Sequence, residues 1–205
     1  MAVPARPPHR RLRRPAQTLS GLTPLPPLIR AATEADIPAI AAIYADEVRE
    51  RVNTYEYDVP DAAEMHRRMR AIVGDGFPYL VAELDGRVAG YAYAGSFRAR
   101  LGYRFTVENS VYVAADAQGH GIGAALLAAL IEACEARGYR QMIAVIGEPT
   151  NTASIRLHER FGFVHTGTMP GIAWKHGRWL DTVFMQRPLG PGASTAAAED
   201  PGTGT

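Results

Sequence analysis

The stretch SVYVAADAQGHGIGAALLAAL, Ser110 to Leu130, sets the tightest limit on what this chain can fold into. An alternating apolar segment comes first, then glycines at 119, 121 and 123, then an Ala/Leu-rich run at helical spacing. A strand feeding a glycine turn that opens a helix lets backbone N–H groups and the positive end of a helix dipole converge on one anion. Two registers compete. Gly119, Gly121 and Ala124 spell G-x-G-x-x-A, one form of the dinucleotide fingerprint, and Glu148 follows some 24 residues on. That register needs its first glycine at the strand's end, yet AADAQ separates Val113 from Gly119. The remaining length also lacks a second mononucleotide-binding half. Counted from Gln118, the residues Gln118, Gly119, His120, Gly121, Ile122 and Gly123 read Q-x-x-G-x-G, with Ala124 just inside the helix. In this register the turn suits a pyrophosphate, and the competing reading is a plain glycine-rich turn before a core helix. His120 either adds charge beside the phosphates or faces water.

The flanking pattern predicts where the turn sits. LIRAAT reads as a short strand, and Thr33 with Asp36 opens a helix to about Val48. Asp61 and Glu64 open a second helix that GDG stops after Val73. YLVAEL and VAGYAYAGSF form a hairpin about Asp85-Gly86, and TVENSVYV is the next strand. The following helix runs from about Gly121 to Arg137 and ends at Gly138. Ile122, Leu126 and Leu130 form one row, and Leu127, Ile131 and Cys134 the next, a wide apolar face that needs a sheet to cover it. QMIAVI, a short helix from Asn151 to Arg160, and the strands GFVHTG and DTVFMQRPL complete the order. The expectation is an α/β (α+β) domain: a mixed sheet of six to seven strands flanked by about four helices.

The domain should span 28–189. Residues 1–27 carry five arginines, seven prolines and no acid, and are expected to be a disordered arm or the product of a misassigned start. Twin arginines at 10–11 and 13–14 lack the apolar run of a signal peptide. Residues 190–205 are low in complexity, carry two acids, and read as a solvated tail. The body therefore has a net charge of −2 within an overall +1, which offers no electrostatic case for nucleic acid. No apolar run reaches a membrane span of roughly 18 residues, so no membrane partner is expected. Cys134 is the only cysteine, which rules out an intramolecular disulfide and a thiol-built zinc cluster. A reducing cytoplasm is the expected compartment. The histidines show no metal-ligand spacing, so no metal is expected.

Q-x-x-G-x-G after a VYV strand, followed by Asn-x-x-Ser ahead of GF, resembles the GNAT superfamily of N-acetyltransferases. FRARLGYRFTVENSVYV, VIGEPTNTASIRLHERFGF and WKHGRWLDTVFMQRPL resemble blocks of its phosphinothricin and methionine sulfoximine/sulfone acetyltransferases. The similarity covers about 28–189. It implies the GNAT fold, acetyl-CoA as co-substrate, a small amino-acid-like acceptor and a homodimer.

Acetyl transfer requires that the acceptor amine lose a proton, that the thioester carbonyl be polarised and that the leaving thiolate be stabilised. Glu108, on the VYV strand, is the candidate base, and the resemblance points to it too. The resemblance gives the backbone of Val111, Tyr112 and Val113 to the pantetheine arm, where one N–H could polarise the carbonyl. Asn151 is a natural helix N-cap; with Ser154 it also falls where the family contacts the cofactor. His158 stands where many GNAT enzymes place a thiolate-protonating tyrosine. It is read either as that acid or as a satisfied half-buried histidine. Arg98, Arg100 and Arg104 could fork onto a carboxylate or a phosphinate, sulfone or sulfoximine oxygen, or could form a solvated face. Gly102, Tyr103 and Arg104 match the subfamily segment lining the acceptor pocket, and Tyr55 matches an aromatic wall. Lys175, His176 and Trp179 are read as a loop bordering that pocket.

The expected activity is direct acetyl transfer, in a ternary complex, to the amino group of phosphinothricin, methionine sulfoximine or methionine sulfone. Acetylation of a protein N-terminus or another amine, and a non-catalytic acyl-CoA sensor, are the alternatives.

Overall fold

Alternation along two strands sorts the core into two layers. The computed structural model describes residues 26–197 and residue 201. Its elements are β1 (Leu28–Ala31), α1 (Ile37–Glu50), α2 (Ala62–Gly74), β2 (Tyr79–Leu84), β3 (Arg87–Ser96), β4 (Thr106–Val113), α3 (Ile122–Ala136), β5 (Gln141–Gly147), α4 (Thr152–Arg160), β6 (Val164–Lys175) and β7 (Arg178–Pro188). Single 3-10 turns cover Glu34–Asp36, Leu101–Tyr103 and Ala115–Ala117. On β2 and β3, Tyr79, Val81 and Tyr91 pack with Ile40, Tyr44 and Val48 of α1 and Met65 and Met69 of α2. Ala82, Ala92 and Ala94 face the opposite layer, against Leu126, Leu127 and Leu130 of α3. Small residues there let α3 lie close to the sheet. A Cβ at Gly90 would sit 2.8 Å from the Tyr112 carbonyl oxygen and 3.0 Å from Ile122 Cγ2. Each fully buried leucine of α3 contributes about 1.5–3 kcal/mol by leaving water.

The seven strands form one sheet in the order β1-β2-β3-β4-β5-β7-β6. Every neighbouring pair is antiparallel except β4 and β5, which run parallel with α3 as their crossover. This is the mixed sheet with four helices that the sequence pattern implies.

Three details differ from the sequence reading. A 3-10 turn precedes α1, because Asp36 takes hydrogen bonds from the Thr33 backbone N–H (2.8 Å) and the Arg30 fork (2.7 and 2.8 Å). The last two strands are longer than expected and joined by a tight turn at His176 and Gly177 (φ 49° and 74°), so the structured loop read in KHGRW is the tip of a hairpin. Within the segment read as a tail, residues 190–197 run in turns beside Arg140. Its guanidinium donates to the Gly192 carbonyl (2.8 Å) and to the Thr195 hydroxyl (2.7 Å). Residues 1–25, 198–200 and 202–205 lie outside the described residues, and with them nearly all of the arginine- and proline-rich arm. Among the described residues no helix is long and apolar enough to cross a membrane.

Candidate active site

The one parallel pair in the sheet comes apart. β4 and β5 are in register from Thr106–Gln141 to Asn109–Ala144 and no further. Beyond that rung β4 stays with β3 as far as Val113, and β5 stays with β7 as far as Gly147. The backbone edge of Ser110–Val113 therefore faces a wedge instead of a neighbour. A cavity of about 590 Å³ fills this wedge and runs to the glycine turn.

At the turn, Gly119 and Gly121 adopt φ of +81° and +78°, a left-handed backbone that strains any residue with a Cβ. Gly121 is the N-cap of α3 and offers no side chain, so no cap bond occupies the first-turn N–H groups. A Cβ on Gly123 would lie 3.4 Å from Leu157 Cδ2 and 3.6 Å from Val113 Cγ2, filling the floor between the strand edge and α4. Free strand edge, uncapped helix and bare floor fit an extended arm ending in a diphosphate. Among the described residues no group of three or more His, Cys, Asp and Glu side chains is placed to hold a metal ion.

Glu108 lies one residue before the last β4–β5 rung and lines the cavity. Burial pushes its carboxyl above the ordinary range, which makes it a stronger base once ionised. The α1–α2 loop closes the other side. Asn53 donates to Glu47 Oε2 (2.5 Å) and accepts from Asn151 Nδ2 (2.7 Å), while Asn151 Oδ1 accepts from the Ser154 N–H (3.1 Å). Asn151 thus serves as the N-cap of α4 and as a tie across the cavity. Tyr55 is anchored through its hydroxyl to Thr182 Oγ1 at 2.6 Å. The loop sits hard on β5, since a Cβ at Gly147 would collide with the Val52 carbonyl oxygen. Lys175 holds it from behind. Its buried ammonium donates to the carbonyls of Arg51 (2.8 Å) and Thr54 (2.7 Å), and burial lowers its pKa.

Of the residues anticipated from sequence, Tyr55, Glu108, Val111, Tyr112, Val113, Gln118, Gly119, Gly121, Ile122, Gly123, Ala124, Asn151 and Ser154 line the cavity. The others do not. His120 is exposed, with Nδ1 3.0 Å from the Gln118 carbonyl. His158 is 4% exposed and stands behind the lining residues, with Nδ1 2.8 Å from the Ser154 carbonyl and Nε2 3.0 Å from Asn109 Oδ1. Desolvation holds its pKa below the ordinary histidine value. This geometry fits the reading of His158 as a satisfied buried histidine and not as the thiolate's acid, because the ring is packed into the scaffold and the single N–H of its neutral form is directed at Ser154 or Asn109. Arg98, Gly102, Tyr103 and Arg104 stand on the exposed β3–β4 connection, outside the cavity. Arg98 stacks near Phe97 and Tyr103, and Arg104 over Phe105.

The sequence reading missed Tyr44, Glu47, Arg51, Asn53, Tyr93 and Asn109, all of which line the cavity. Glu47 carried a usable signal. It lies among Ile40, Ile43, Tyr44 and Val48 on the buried face of α1, where a carboxylate is out of place unless something uses it.

Comparison with known proteins agrees with this geometry. The acetyltransferase (GNAT) domain family matches residues 29–184. The chain is 49% identical over 167 residues to the phosphinothricin N-acetyltransferase of Alcaligenes faecalis, covering 82% of this chain and 85% of that one. It is 46% identical over 164 residues to the L-methionine sulfoximine/L-methionine sulfone acetyltransferase of Pseudomonas paraeruginosa, covering 80% and 95%. Among solved structures, a GNAT superfamily phosphinothricin acetyltransferase from Sinorhizobium meliloti in complex with AcCoA superposes with a TM-score of 0.83. It is 49% identical, over 85% of this chain and 95% of that one.

Proposed function

Because the chain belongs to the GNAT acetyltransferase family, whose members transfer acetyl from acetyl-CoA to an amine, we propose that its acceptor is a small amino-acid-like compound. Phosphinothricin, methionine sulfoximine and methionine sulfone are the candidates, a reading supported by the relatives' activities. The observation that carries it is Glu108 at the root of the β4–β5 wedge, a half-buried carboxylate beside a free strand edge.

Bound acetyl-CoA supplies an activated acyl group as a thioester. The N–H groups of Gly119 to Gly123 and the first turn of α3 hold the diphosphate. The edge of Ser110–Val113 pairs with the pantetheine arm, and an N–H on that edge polarises the thioester carbonyl. Asn151 and Ser154 border the arm from α4. Glu108 takes the proton of the acceptor ammonium, directly or through one water, leaving a nucleophilic amine. Transfer is direct within a ternary complex: the amine nitrogen bonds to the acetyl carbon as the C–S bond breaks, and coenzyme A leaves as a thiolate that takes up the second amine proton through solvent. Cys134 is fully buried on α3 with its thiol pushed up to about 12, which argues against an acyl-cysteine intermediate. The homodimer implied by the subfamily belongs to the same proposal, and light scattering after size exclusion tests it.

Thiol release from acetyl-CoA, measured across phosphinothricin, methionine sulfoximine, methionine sulfone, plain amino acids and N-terminal peptides, tests the acceptor. The three named compounds should lead in kcat/KM. Faster turnover of the peptides would replace the proposal with acetylation of protein N-termini. Acetyl-CoA binding with no turnover on any amine would replace it with a sensor.

A further inference from the structure

Among the described residues, Arg51 is the one cationic side chain lining the cavity. It is the C-cap residue of α1, and its guanidinium reaches across the opening to the glycine turn. There the Gln118 amide, oriented with its oxygen toward the arginine, accepts from Nη1 and Nη2 at 3.1 Å each. The opposite orientation would set an NH2 group against guanidinium N–H groups. The other polar contact of this side chain is a loose one, Nε 3.5 Å from Glu47 Oε1. Its backbone carbonyl is held by Lys175, so the main chain is anchored while the side chain, 36% exposed, can exchange partners.

A neutral amide oxygen is a weak match for a guanidinium, whose planar fork suits two oxygens of a phosphate. Gln118 is also the residue that opens the glycine turn, so an anion seated on that turn arrives within reach of Arg51. We propose that Arg51 is a further binding residue for the diphosphate of the coenzyme A ester. Its fork leaves the Gln118 amide for the diphosphate, and the α1–α2 loop is thereby strapped across the bound arm. This rests on the acetyl-CoA reading above and adds a binding residue outside the glycine turn.

The test compares acetyl-CoA with S-acetylpantetheine, which has the same thioester and arm but no diphosphate, by titration calorimetry on the full chain. Arg51→Gln should weaken acetyl-CoA binding by about tenfold to hundredfold, the range for losing a charge-assisted hydrogen bond. It should leave S-acetylpantetheine within about twofold, and the loss with acetyl-CoA should shrink as ionic strength rises. Arg51→Lys, which keeps the charge without the fork, should lose less, again only with acetyl-CoA. Equal weakening of both ligands or unchanged acetyl-CoA affinity would each overturn the proposal. Since these measurements need no acceptor, a wild-type protein that binds acetyl-CoA but acetylates no amino acid would sink the acceptor assignment alone.

Discussion

His158 Nε2 lies 3.0 Å from Asn109 Oδ1, at the last rung where β4 and β5 still pair. Asn109 in turn donates through Nδ2 to the Ile143 carbonyl at 3.0 Å, so α4, β4 and β5 are tied together at the root of the wedge. Both side chains are nearly fully buried, at 4% and 6% exposure. Replacing His158 by Ala should remove the ring that reaches Asn109 Oδ1 and leave a gap between α4 and β4, at a cost of about 1–3 kcal/mol read by urea unfolding. Were His158 the thiolate's acid, the same substitution would abolish turnover at unchanged stability, and that pattern would refute the scaffold role.

Glu108→Gln should lower kcat by about 10²- to 10⁴-fold, the usual span for a general base, with acetyl-CoA affinity retained. In the wild type, burial raises the Glu108 pKa, and the ionised form is the active one. The kcat/KM profile should therefore fall on its acid side at a pH above the ordinary glutamate value. Loss of that limb in the glutamine variant is the deciding observation.

Gly147→Ala should push the α1–α2 loop off β5, because the new methyl would collide with the Val52 carbonyl oxygen. A cost of about 1–3 kcal/mol is expected for such overpacking. Lys175→Met should disturb the same loop from the opposite side by leaving two carbonyls without their donor. Both variants should raise the KM for acetyl-CoA and for the acceptor, since the loop brings both Arg51 and Tyr55 to the cavity. Unchanged KM values for both substrates would show that the loop does not shape the cavity.

Asp36 is held at a pKa of about 2, chiefly by the Arg30 fork. A carboxylate whose folded pKa is depressed stabilises the fold fully above its unfolded pKa, and the contribution disappears as pH falls through the folded value. Asp36→Asn should therefore cost about 1–2 kcal/mol at neutral pH after allowance for the partly exposed arginine, and progressively less from about pH 4 to pH 2. A difference between variant and wild type that does not narrow with acid would exclude this account.

The strands, the helices and the glycine turn were legible because each is specified over a few consecutive residues. Period-two alternation marks TVENSVYV, and positive φ at Gly119 and Gly121 marks a turn that few other residues could make. Glu108, Gln118 and Asn151 could be placed on the cavity for the same reason, each at a fixed step from such an element. The residues that close the cavity opposite them were not legible. Arg51 and Asn53 gain their positions from Lys175 and Asn151, 124 and 98 residues away along the chain. His158 occupies the expected place in sequence, but its ring is buried against Asn109, behind the residues that line the wedge. The arginines of FRARLGYR read as substrate forks, yet in the single chain their connection lies outside the cavity.

By itself, then, the sequence determined the layered sheet, the anion-binding turn and the strand bearing the base, because short-range periodicity and glycine stereochemistry act locally. Only the tertiary structure decided where the parallel pair separates and which side chains face the opening. Those depend on packing between segments a hundred residues apart, and no local pattern encodes it.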